Sequence, residues 1–137
     1  MDVEQSRATG WVGWVLFGGV ILVVLGTLHV YVGLLALVRP EILAGSRADL
    51  LFPVSLTGLA VAHLAVGAAA AVAGFGLVRG LRWARAAAVL LCCSSALMDF
   101  AFAATHPVWS VVAIALTGTI VYAVAAHGGE VADAYGP

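Results

Sequence analysis

Three ionisable side chains stand inside long apolar runs of this sequence: His29, His63 and Asp99. Imidazoles exchange protons near neutral pH, and two histidines with one carboxylate are also the donor types that hold transition metals. In hydrocarbon such groups are expensive, about 2.5–3.5 kcal/mol for an Asp at the centre of a spanning helix, so they face other helices and take partners. Three readings follow. Asp99 and His63 form an ion pair or hydrogen bond that locks two helices together. Alternatively they form the proton-handling, polar end of a pocket for a hydrophobic molecule. In the third, a protonated Asp99 bonds Ser95 or a backbone carbonyl. A metal site is not expected, because the three groups sit on three separate segments with no close ligand spacing.

Depth and helical phase bring these residues together. His63 lies sixteen residues before Arg79 and Asp99 fourteen after Arg85, while His29 lies eighteen past Trp11. At a rise of about 1.5 Å per residue these offsets are roughly 24, 21 and 27 Å, one level in the outer half of a bilayer. Cys92, Ser95, Asp99 and His106 follow helical spacing and form one polar stripe. His63 shares a face with Ala60, Gly67, Ala70 and Gly74, and His29 with Gly26, Gly33 and Ala36. Small residues let membrane helices approach closely, so these faces point inward. Thr117 falls near the same level and Tyr122 deeper, which makes His29, His63, Ser95, Asp99, Thr117 and Tyr122 the candidate ligand-binding set.

The elements that must position them are spanning helices. Of 137 residues 64% are hydrophobic and only 9% charged, too few charges to cover a water-soluble domain. A spanning helix takes about 20 apolar residues, and four such segments fill this chain: about 11–38, 51–78, 83–104 and 108–126. An N-terminal arm (1–10) and a short polar, unstructured tail (127–137) complete it. The fold class is an all-α, antiparallel four-helix transmembrane bundle. Arg39-Pro40 ends the first span, Pro53 fits the first turn of the second, and His106-Pro107 makes the last tight turn. The first apolar run is too long for a signal peptide. His29-x3-Gly33 and His63-x3-Gly67 echo each other but do not amount to a repeat.

Charge excludes some functions and orients the chain. All six basic residues are arginine and the net charge is −1, which offers nothing to a polyanion; no nucleic acid partner is expected. Arg79, Arg82 and Arg85 with Arg7 outnumber Arg39 and Arg47. The positive-inside rule then places both termini in the cytoplasm of a cell whose composition is that of GC-rich bacteria, in its plasma membrane. Trp11, Trp14, Trp83 and Trp109 fall at the bilayer interfaces, and with Arg79, Arg82 and Arg85 they are the expected anchors. "GFGLVRG" (Gly74–Gly80) ends a helix instead of joining a strand to one, so it is no dinucleotide fingerprint. Adjacent Cys92 and Cys93 match neither a disulfide framework nor a zinc site and read as helix-packing residues.

The paired tryptophans Trp11 and Trp14, the glycine–arginine–tryptophan link before the third span and the proline–x–tryptophan–serine after it resemble the DUF7144 family of small bacterial four-helix membrane proteins. The likeness covers about Gly10 to Gly128. His63 and the Gly74–Arg85 link match the family pattern. Two positions depart: asparagine is usual where Asp99 stands and aspartate where Thr117 stands, so the acidic group has moved between helices. The resemblance implies four spans and no established activity. The expectation is a non-enzymatic membrane protein without cofactor, an accessory or structural subunit that self-associates in the lipid bilayer. The rival is an intramembrane site for a quinone, lipid or isoprenoid.

Overall fold

The computed structural model describes residues 10–45, 53–101 and 107–135, with the backbone alone at 98, 99 and 101. The chain is all-α: α1 (Trp11–Val38), α2 (Leu56–Val78), α3 (Arg82–Ala101) and α4 (Pro107–Tyr135), with a 3₁₀ turn at Pro40–Leu43. There is no strand among the described residues. Three of the helices, α1, α2 and α4, are long and apolar enough to cross a membrane. α3 has 20 residues and opens on Arg82 and Arg85.

Local chemistry sets the boundaries. α1 stops at Val38 because Pro40 forbids helical geometry at Arg39, whose φ and ψ are −131° and 79°. α2 starts at Leu56, not residue 51. Ser55 is its cap, its hydroxyl accepting the Gly58 N–H at 2.9 Å, and Pro53 lies ahead of the helix. α2 ends in a Schellman turn: the Gly80 N–H bonds the Leu77 carbonyl at 3.0 Å and the Leu81 N–H bonds that of Gly76 at 2.9 Å. Gly80 sits at φ 74°, where a side chain is disfavoured. The expected extension of the third span over 102–104 and the turn at His106 lie outside the described residues.

The C-terminal expectation needs correction. α4 does not stop at Ala126; it continues through the polar sequence to Tyr135. Gly128-Gly129 resembles a helix stop, but here Arg85 lies across both glycines and fills the space their missing side chains leave. Gly128 and Val131 are buried, and Ala132 abuts Gly80. The tail is a docked helix end.

The tightest packing joins α1 to α2. Gly19, Gly26 and Gly33 recur at every seventh residue on α1, as Ala60, Gly67 and Gly74 do on α2. They meet antiparallel: a methyl group on Gly67 would lie 2.6 Å from the Gly26 carbonyl oxygen, one on Gly74 2.5 Å from that of Gly19, and one on Gly33 2.9 Å from that of Ala60. Backbones this close gain van der Waals contact that any side chain here would prevent. The hairpin α3/α4 packs on this one through a single core of Val12, Val15, Leu22, Ala70, Leu77, Ala84, Ala88, Cys92, Ile120, Ala123, Val124 and Val131. Every one of these comes from the end where α1 begins, α2 finishes and α4 finishes. At the opposite end the buried cluster is Ala36, Leu43 and Ala60, from the first hairpin and its turn alone.

Candidate functional site

A stacked imidazole pair occupies the first hairpin beyond that shared core. Nδ1 of His29 lies 2.8 Å from the Leu25 carbonyl oxygen, and Nδ1 of His63 lies 2.9 Å from that of Leu59. A carbonyl only accepts, so Nδ1 carries the proton in both rings, and in the neutral imidazole Nε2 presents a lone pair. The backbone contact at Gly26 and Gly67 brings the rings to a centroid separation of 5.5 Å at an interplanar angle of 26°. The two rings sit on stripes that are buried at the other end: His29 is seven residues from buried Leu22, and His63 seven from buried Ala70. Past the shared core, His29 is exposed and His63 half-buried. The pair therefore presents two Nε2 atoms, on two rings each tied to its own helix.

The other candidates do not join it. Ser95 is exposed, not turned inward, so the polar stripe of α3 is broken after buried Cys92. The side chain of Asp99 lies outside the described residues. Thr117 is half-buried one turn from Ile120, whose side chain packs on Gly18. Counting about 1.5 Å per residue from that contact, Thr117 falls roughly 12 Å short of His29, because α4 runs antiparallel to α1. The positions of α4 level with the histidines are near 109–110, where Ser110 is buried and Trp109 exposed. No group of three His, Cys, Asp or Glu able to hold a metal occurs among the described residues.

Tyr122 belongs to a second cluster at the opposite end. Its ring meets Trp11 edge-on at 5.0 Å, and Trp11 stacks on His127 at 5.3 Å and 7°. Nδ1 of His127 lies 2.6 Å from a carboxylate oxygen of Glu130 one turn on. Sequence reasoning missed His127 and Glu130 by assigning them to the tail. The signal was present in the spacing of Val124, His127, Glu130 and Val131, which continues the helical period past the glycines. The expected anchors gather here too. Trp14 meets Phe17 edge-on at 5.9 Å, the Arg79 guanidinium lies 4.4 Å from the Phe75 ring centre, and Trp83 packs on Gly76. Trp109 stands at the far end of the molecule.

Neither a curated protein nor a solved structure matches this chain. Residues 14–129 match a family described as a domain of unknown function. That stretch carries the stacked imidazoles, all six small residues of the α1–α2 contact and the arginine link, and by it the chain belongs to the DUF7144 family.

Proposed function

We propose that this protein is a non-enzymatic membrane subunit, accessory or structural, which associates with further copies of itself through α2. The supporting observation is that α2 has two small-residue faces. One, Ala60, Gly67 and Gly74, is buried against α1; the other, Gly58, Ala62, Ala65 and Ala69, lies on the opposite side and is exposed. Small residues at helical spacing on a lipid-facing surface admit a second helix at close range. The test places a cysteine at Ala65 in a Cys92→Ala/Cys93→Ala chain and oxidises native membranes. A disulfide-linked dimer is expected, and Ala62→Leu with Ala65→Leu shifts the purified protein to lower mass. A wild-type chain that stays monomeric and does not cross-link sinks the reading. The same reading puts both termini on the cytoplasmic side of a bacterial plasma membrane; what supports it is the gathering of Arg79, Arg82 and Arg85 at the end where α1 begins and α4 ends. An active alkaline phosphatase fused after Pro137 overturns that orientation.

One observation favours a second reading, an intramembrane site for a small apolar molecule bearing a hydrogen-bond donor. The imidazole pair offers its Nε2 atoms where the inter-hairpin core has ended; Asp99 joins this reading from sequence alone. Native mass spectrometry of the purified protein is expected to show a bound apolar species that His63→Ala releases. Its absence from wild-type protein removes the reading.

A further inference from the structure

A groove of about 510 Å³ runs between α3 and α4, with Arg82 and Arg85 at its rim and Ala86, Val89, Leu90, Val124 and Ala125 along its walls. Among the described residues neither arginine forms an ion pair. Arg85 is held in place by its passage over Gly128 and Gly129, while Arg82 is exposed. Two cations with no ion-pair partner among the described residues therefore stand over an apolar groove, at the end of the bundle that also carries Trp11, Trp14 and Trp83. A guanidinium binds a phosphate oxygen pair in a fork and pairs poorly with a choline or other cationic head.

From this charge and shape we infer that the groove is a site for one anionic phospholipid of the surrounding bilayer. Its phosphate bridges Arg82 and Arg85 and one acyl chain lies along Val89, Leu90 and Val124. The inference rests on the membrane reading of the chain and is independent of self-association. The phosphate supplies the ion-pair partner that neither arginine has among the described residues, and the acyl chain fills space that α3 and α4 do not close.

The test titrates delipidated protein in neutral detergent with phosphatidylglycerol and, separately, with phosphatidylcholine, counting bound lipid by native mass spectrometry. One phosphatidylglycerol per chain is expected, with phosphatidylcholine at least tenfold weaker. Each basic residue near a membrane surface contributes about 1 kcal/mol toward anionic lipid, so Arg82→Gln weakens binding about fivefold. Arg82 is exposed and away from the shared core, so this variant keeps the wild-type thermal midpoint and oligomeric mass. Ala125→Phe, which fills the channel and leaves both charges, abolishes binding. Inorganic phosphate in the same concentration range does not displace the lipid. Equal binding of the two lipids, an unchanged affinity in Arg82→Gln and Ala125→Phe, or full displacement by phosphate overturns the inference.

Discussion

The two hairpins of this molecule are joined by different means. α1 and α2 touch backbone to backbone at three successive levels along their length, with glycine on at least one side of each contact. α3 and α4 meet where the long Arg85 side chain lies over Gly128 and Gly129, and both helices contribute side chains to the core shared with the first hairpin. A glycine contact leaves nothing to rotate, so it specifies one separation and tolerates no added atom. Side-chain contacts adapt, but they fill space unevenly, and the groove under Arg82 and Arg85 is where they fall short. The rigid hairpin carries the imidazole pair and the adaptable one carries the groove.

Four substitutions test how far this contrast reaches, each read as a shift in the unfolding free energy in detergent. The largest effect is expected from Gly67→Leu, which drives a side chain into the α1 backbone at Gly26 and Val30. Backbone has no rotamer by which to yield, so the loss exceeds the usual overpacking range of about 1–3 kcal/mol. A loss no greater than that of Gly118→Leu would erase the distinction. Next, Leu77→Ala opens a cavity in the core shared by both hairpins, at about 2–5 kcal/mol. A smaller cost, about 1–2 kcal/mol, attends Gly80→Ala, which strains the left-handed turn and also meets Ala132. The smallest effect has the opposite sign. A methyl at Gly118 meets nothing within 4 Å, so Gly118→Ala stabilises α4 by up to about 1 kcal/mol through helix propensity.

The helices themselves were legible. Trp11 and Val38 bound α1 where an uninterrupted apolar run meets Arg39-Pro40, and Val78 closes α2 before the arginine link. The small-residue faces were visible as spacing. What residue counting missed was lateral contact between distant segments. The C-terminal helix end depends on Arg85 covering Gly128-Gly129, a contact more than forty positions apart in sequence. Depth counting puts Tyr122 in the ligand-binding set, but its ring meets Trp11 and His127. Ser95 has the right phase to face inward, yet it is exposed, because the shared core stops at the level of Cys92. Helical period gives direction around one axis; it does not say how far along that axis a neighbouring helix remains in touch.

The seven-residue spacing of the small residues has one more consequence. In the native register Gly19 faces Gly74, Gly26 faces Gly67 and Gly33 faces Ala60. Sliding α2 by one repeat, about 10 Å along α1, sets Gly26 against Gly74 and Gly33 against Gly67, again small upon small. A ruler with identical marks cannot report its own offset. The imidazoles number it: His29 and His63 stack in the native alignment, whereas one repeat away His29 would stand beside Ala71 and His63 beside Leu37. The two rings distinguish the correct alignment of this hairpin from one displaced by a repeat.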